Sequence, residues 1–579
     1  MIVRTKMLFA VVVLIVLPML SFTQCLLVNN KKSNFAIVIP DAGYSSAAFE
    51  LQEVIYRATT FKMPVRQGTI TCSNCIVIGQ QSDFSADPSI RSEKLSKNGV
   101  LIGVQKNRIA LVSQSKEKIG YSVTEFLKTY FNAEVFDTTG VVVDLISNVK
   151  IPEGVSVYNP PFEYRDLYYK SAFDSTFMEW NKINHIWASK NSEWGNWVHT
   201  AYEFIFVPTY YKSNPEYFAL INNKRVTTQL CYSNPDVYQI VLKNLKEKIK
   251  KAPEKKIWSF SQLDNNDICQ CDNCHKADQR LGTHGAALFE FVNRLANDIP
   301  DKTIATLAYG FSLKPPAADK FKLAPNVLIV YCVTQGNKGR DMATDVSFND
   351  MRLFLTGWTG LTKNIIIWDY IVNFPNLLMP LPNFKGIADA LKYYRSLGIK
   401  EVFLQGNAQK GGDFAGLRSY VAAQLLWNPD KNLGQLIKHY SDYAYGPASN
   451  DIQQLINDLS SNGQKAFINY YFSPDSFSKN MFAPDKMGGY YNEIVSALKK
   501  VSANSRYYDN LLQIKLGLDY TNAELQRVNK NAVNTGGPSN SLMELQKYSN
   551  TKLMDIPINE GNKTLKDYIN SYNKASGKN

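Results

Sequence analysis

The stretch IWSFSQLDNNDICQCDNC, residues 257–274, decides how the rest of the chain is read. Trp258–Leu263 has the apolar, β-rich character of a buried strand. It runs directly into two acids, Asp264 and Asp267, and then into C-x-C-x-x-C at Cys269, Cys271 and Cys274. In a (β/α)8 barrel, a carboxylate that follows an inner strand stands on the C-terminal lip, where barrel enzymes keep their chemistry.

Around this stretch the pattern from Tyr164 onward is strand alternating with helix, which predicts an α/β barrel over residues 160–430. Strands are expected at Arg165–Tyr169, His185–Ser189, Trp258–Leu263, Thr303–Tyr309, Val327–Val333, Ile365–Tyr370 and Glu401–Gln405. One more is expected between Trp197 and Val207. Helices are expected at 236–250, where Asn234 caps and Pro235 opens the segment, at 283–299, and at 384–397, which Gly398 ends. An open doubly wound sheet is the alternative, but no G-x-G-x-x-G follows any strand.

Upstream, residues 25–150 read as a small α/β accessory domain. Its strands are at Phe35–Ile39, Cys75–Gly79, Val100–Val104 and Ile109–Ser113, the last two forming a hairpin around Lys106-Asn107. Asn159-Pro160-Pro161 marks the boundary. Downstream of Trp427-Asn428-Pro429, residues 431–579 form a helical C-terminal region. Within it, the aromatic stretch Tyr470–Tyr491 either folds over the barrel mouth or packs on itself as a surface connection.

Length, charge and the first residues bound the class. A chain of 579 residues with 45% hydrophobic and only 20% charged residues builds more than one domain and is not disordered. In residues 1–24, Arg4 and Lys6 precede the apolar run Met7–Leu20, the pattern of a secretory signal peptide. Export to the periplasm, the cell surface or the medium follows. Cys25 offers a second outcome, a lipidated residue attaching the chain to a membrane. The net charge of +13 is concentrated at Lys243, Lys246, Lys248, Lys250 and Lys251, on the solvated face of an amphipathic helix. No nucleic-acid motif accompanies it, so no nucleic-acid partner is expected.

A series of motifs carries a resemblance. In order they are Pro161, Phe162, Tyr164 and Arg165; Trp194, Gly195, Trp197, Val198 and His199; Asn214–Leu220; and Gln229–Cys231. S-Q-x-D-N with C-x-C-x-x-C follows, then Leu307–Tyr309, Ile367–Tyr370 and Leu425–Pro429. Across roughly 35–445 the chain resembles the uncharacterised exported family from which glycoside hydrolase family 163 was drawn. That family is similar in layout to family-20 hexosaminidases and family-67 α-glucuronidases. The resemblance implies an accessory domain before a (β/α)8 catalytic domain. It also implies action on a glycan or glycoprotein containing N-acetylglucosamine, as an endo-β-N-acetylglucosaminidase on N-glycans, with net retention.

Glycoside cleavage needs an acid at the leaving oxygen and a second group across the anomeric carbon. Asp264 is the expected acid/base. Asp369, ending the seventh expected strand, or the substrate's own acetamide completes the pair, because an adjacent Asp-Glu pair is absent from Asp264-Asn265-Asn266-Asp267. Trp197, His199, Tyr309, Trp368 and Tyr370 are expected to offer rings to sugar faces. Arg165, Gln262, Asn265 and Gln405 are expected to offer polar contacts. The alternative is a non-catalytic glycan-binding protein on the same scaffold.

An exported chain permits disulfides. Cys72 and Cys75 either pair with each other or stay free. Cys231, Cys269, Cys271 and Cys274 give the four thiols of a structural zinc site, or two disulfides. No cofactor is expected to be required for catalysis.

Overall fold

The computed structural model describes residues 24–184, 192–528, 537 and 540–575. They form two compact units, one of residues 24–133 with 143–159, the other of 134–142 with the rest.

In the first unit, apolar β-branched runs build a six-stranded mixed sheet. Its order is Val65–Gln67, Ala36–Ile39, Cys75–Gln80, Arg108–Ser113, Val100–Gln105 and Gly154–Tyr158. Val100–Gln105 and Arg108–Ser113 pair antiparallel across Lys106-Asn107. Helices Ser45–Thr59 and Ile119–Phe131 belong to this unit, and Val38, Val77, Leu101 and Val112 lie in its core. Cys72 and Cys75 are joined by a disulfide. Cys25 is buried in a strand, Gln24–Val28, paired with Val149–Pro152. The signal segment lies outside the described residues.

The second unit is organised by a curled parallel sheet of six strands. In spatial order they are Ile257–Ser259, Thr303–Ala308, Val327–Val333, Ile365–Tyr370, Glu401–Gln405 and Tyr164–Leu167. The last pairing returns the chain's first strand of this unit to its last. The intervening helices include Pro235–Lys251, Ala286–Asp298, Asn349–Leu361, Phe384–Ser396 and Ala415–Trp427. Asn234 caps the first of these, its side chain accepting from the Asp236 and Val237 amides.

The eight-stranded expectation is met only in part among the described residues. The strand expected at His185–Ser189 lies outside them. Between Trp197 and Val207 there is no strand but two short helical turns, Ala201–Phe204 and Val207–Tyr210. The chain touches the sheet edge just before, where Trp194 bridges in parallel to Ile257. The strand beginning at Ile257 is also shorter than expected. Side chains cover the strand's outer edge: Asn196 Oδ1 accepts from the Ser259 amide at 2.7 Å and Thr200 Oγ1 from the Ser261 amide at 3.1 Å, while the Phe260 amide still donates to the Ala305 carbonyl at 2.9 Å.

Each sheet strand presents alternate residues to its two faces. Ile366 and Tyr370 join Leu307, Val330, Cys332 and Phe403 in the inner core, with Trp368 packed against it. Asp369, between two of these inward residues, is turned to the other face. There it is 3% exposed, and Lys338 Nζ donates to its Oδ1 at 2.6 Å. The Tyr394 hydroxyl, from helix Phe384–Ser396, donates to Oδ2 at 2.7 Å. Lys338 also donates to the Val333 carbonyl at 2.7 Å. Burial pushes the Lys338 ammonium down from its ordinary value while Asp369 opposes that shift. Asp369 therefore does not face a sugar, and its expected catalytic role is withdrawn.

The helix meets the Lys338 loop at Gly386, where a Cβ would lie 1.9 Å from the Lys338 carbonyl oxygen. Only a residue without a side chain permits that approach. Removing one partner of a buried pair leaves the other charge uncompensated. Asp369→Ala is therefore expected to destabilise the chain by about 3–5 kcal/mol, read as a lowered urea midpoint. A change below about 1 kcal/mol, the range of exposed pairs, would contradict this placement.

Candidate functional site

The carboxyl ends of the sheet strands open onto a cleft of about 300 Å3 lined by Tyr168, Trp197, Trp368, Phe403, Gln405, Asn407 and Glu560, among others. Its aromatic wall is built by register. Trp368 pairs with Phe403 across neighbouring strands, and their rings meet edge-on at 5.0 Å. Trp197 stacks on Trp368 at 5.6 Å and meets Trp194 edge-on at 4.5 Å. The Trp368 indole N–H donates to Gln405 Oε1 at 2.7 Å, fixing both side chains on the wall. Flat rings with a polar rim match a sugar's apolar face and its hydroxyls.

Asp264 is exposed, and the Tyr309 hydroxyl donates to its Oδ1 at 2.9 Å. Burial, with Asp264 as acceptor, pushes the Tyr309 phenol well above its ordinary range, so it remains a proton-bearing donor. His199 lies against Tyr309, the rings 6.0 Å apart. Its Nδ1 is 2.8 Å from the Gln262 carbonyl oxygen, which can only accept, so Nδ1 carries the hydrogen. In the neutral ring, Nε2 is then the acceptor. His199 holds a left-handed backbone, φ 55°, an uncommon state for a residue with a side chain.

Several expected contacts are instead structural. Arg165 is fully buried and donates to the Lys182 and Phe162 carbonyls at 2.8 and 2.6 Å, with its guanidinium over Trp427. Gln262 is also buried, its amide donating to the Tyr309 carbonyl and to Ser312 Oγ. Asn265 is consumed in shaping the loop. Its Oδ1 accepts from Gln229 and the Asp267 amide, and its Nδ2 donates to the Thr228 carbonyl. Tyr370 is 8% exposed and covered by Tyr470, whose ring stacks on it at 4.8 Å. These four positions make their hydrogen bonds and ring contacts within the protein. The aromatic stretch beginning at Tyr470 thus reaches the mouth, with Tyr471 packed on Phe374 at 5.6 Å.

Two residues were not singled out for these roles in the sequence. Gln229, itself buried, ties down the Asp264 loop: Nε2 donates to the Leu263 carbonyl, and Oε1 accepts from the Leu263 amide. Glu560 arrives from the C-terminal region. Its amide donates to the Phe374 carbonyl at 3.0 Å, and the Tyr471 hydroxyl donates to its Oε2 at 3.4 Å. Glu560 is exposed at the surface, and local desolvation raises its carboxyl above the ordinary glutamate range. The Tyr471 bond opposes that rise and the charge of Asp264 adds to it. Glu560 lines the cleft, and Asp264 lies within electrostatic reach of it. Asn407 and Gln409 also border a second cavity of similar size, lined by Tyr169, Lys170, Tyr440 and Asn510.

Three solved structures match over nearly their whole length: CpGH84B, CpGH84D and a GH138 enzyme targeting pectin rhamnogalacturonan II. The first is 12% identical with a TM-score of 0.41, covering 95% of this chain and 98% of that one. CpGH84D is 11% identical with a TM-score of 0.44, covering 96% and 98%. The GH138 enzyme is 11% identical with a TM-score of 0.41, covering 93% and 98%. At this level of likeness nothing about chemistry transfers to this chain. No curated protein matches the sequence. The family match is to an uncharacterised domain and does not single out glycoside hydrolase family 163. It spans residues 135–457, more than half the chain, and the protein therefore belongs to the family described as a domain of unknown function, DUF4838.

Proposed function

We propose that this chain is an exported glycoside hydrolase acting on a glycan that contains N-acetylglucosamine. In its narrowest form the proposal is an endo-β-N-acetylglucosaminidase acting on N-glycans. One observation carries it: an indole-walled cleft at the carboxyl ends of a parallel sheet is lined by the Glu560 carboxyl, with Asp264 within electrostatic reach of it. The sequence resemblance supplies the substrate class.

In this proposal Glu560, whose raised pKa keeps its proton to higher pH, protonates the departing glycosidic oxygen. Asp264, expected from the sequence as the acid/base, is exposed and held as an acceptor by Tyr309, and in this proposal it takes the N–H of the substrate's acetamide instead. The acetamide oxygen then attacks the anomeric carbon as the leaving group departs. Water opens the resulting ring, giving its proton to the Glu560 carboxylate, with net retention. Trp197 and Trp368 seat the sugar face, and Gln405 stands beside them.

The test is a mass-spectrometric screen of the mature chain against complex N-glycans and a polysaccharide panel. Cleavage is expected from the wild type. Asp264→Asn and Glu560→Gln are each expected to lower kcat by about 10²–10⁴-fold. Binding of glycan by all three forms, with cleavage by none, would overturn the catalytic reading in favour of a glycan-binding protein.

A pH profile follows from the same assignment. The acid form of Glu560 is lost as pH rises through its raised pKa, so the rate falls on the basic side. Residual turnover by Glu560→Gln is expected to lack that basic limb. An unchanged limb in the variant would remove Glu560 from the acid role.

A further inference from the structure

Four cysteine sulfurs converge beside the Asp264 loop. Those of Cys231, Cys269, Cys271 and Cys274 all lie within 4.8 Å of one another, and none is joined to another by a disulfide. Cys231 and Cys271 sulfurs are 3.6 Å apart. A tetrahedron with zinc–sulfur arms of about 2.3 Å has edges of about 3.8 Å, so the spacing is that of ligands around one small ion.

The four come from two segments of the chain. Cys231 directly follows the strand Lys224–Leu230. Cys269 lies in the loop after Asp264. Cys271 caps helix Asp272–Leu281, and Cys274 lies in its first turn. Three of the side chains are buried and Cys271 is partly so. Such a set of thiols in one place is not explained by packing alone.

The surroundings suit thiolates. The Leu220 amide points at Cys269 Sγ from 3.3 Å. Ser233 Oγ lies 3.4, 3.5 and 3.1 Å from the sulfurs of Cys231, Cys271 and Cys274. The amino end of a ten-residue helix adds its dipole where negative charge would collect. The donor set is all sulfur, which selects zinc over the oxygen-seeking divalent ions.

We infer that Cys231, Cys269, Cys271 and Cys274 hold a structural zinc ion. On binding, each thiol gives up its proton to solvent, and all four coordination positions are filled by protein. With no open position, the ion does not act on substrate. It clamps the end of strand Lys224–Leu230, the loop and the helix start together, and so fixes the segment that begins at Asp264. This inference stands or falls independently of the hydrolase proposal.

The experiment is elemental analysis of the full mature chain purified without chelator, with thiol titration of the same sample. About one zinc per chain is expected, released as a mercurial titrates the thiols. Apoprotein supplied with zinc chloride alone is expected to take up one equivalent, acidify an unbuffered solution and melt at higher temperature. Cys231→Ser and Cys274→Ser are expected to lose the metal, while Ser233→Ala keeps it. If the cysteine variants fail to fold, the wild-type stoichiometry and mercurial release still decide. An intact mass showing two disulfides among these four, iron in place of zinc, or no zinc uptake by the apoprotein would overturn the inference.

Discussion

The sealed contact between Asp369 and Lys338 sets which way the barrel-like sheet faces. A carboxylate and an ammonium that are both almost fully buried must stay together, because separating them strands a charge in an apolar medium. With Asp369 held on the helix side by Lys338 and Tyr394, the strand's two-residue repeat puts Trp368 and Tyr370 on the inner side. Trp368 then lies beside Phe403 and under Trp197, and the aromatic wall follows. A second buried pair, Arg418 with Asp413, anchors the loop beyond the neighbouring strand, where Arg418 also binds the Leu381 carbonyl. The cleft is thus defined by charges that never reach it.

Polar groups behind the wall do the same for Asp264. Gln229 and Asn265 satisfy the loop backbone, Gln262 braces the turn at Tyr309, and Tyr309 in turn holds the carboxylate. Gln229 and Gln262 satisfy protein groups that would otherwise be part-buried and unpaired. The cysteine cluster lies farther along the same segment. Support of this kind gives an exposed carboxylate a defined position, which a reacting group needs.

Much of the fold was legible because the strands are continuous apolar runs. Val327–Val333, Ile365–Tyr370 and Glu401–Gln405 have the expected bounds. The strand at Ile257 has its outer edge covered by Asn196 and Thr200 rather than by another strand, and nothing local in the sequence announces side chains arriving from about sixty residues away. Asp369 was misplaced for a reason already present in the sequence. Neighbours on a strand face opposite ways, so Trp368 and Asp369 cannot both line one mouth. Arg165 and Gln262 are long polar residues at strand ends, where burial and exposure leave the same local pattern. Glu560 was out of reach altogether: it lies in a short turn between Asn559 and Gly561, and only tertiary packing on Phe374 brings it to the mouth.

In the proposed complex, sugar binds on the Trp197–Trp368 wall with Asp264 and Glu560 at the reacting bond. A crystal structure of Glu560→Gln soaked with an N-acetylglucosamine-containing oligosaccharide tests it most directly. The expected density is a sugar ring against Trp368, with its glycosidic oxygen beside residue 560 and its acetamide beside Asp264. A sugar bound instead in the neighbouring cavity by Tyr440 and Asn510, with the indole wall empty, would contradict it.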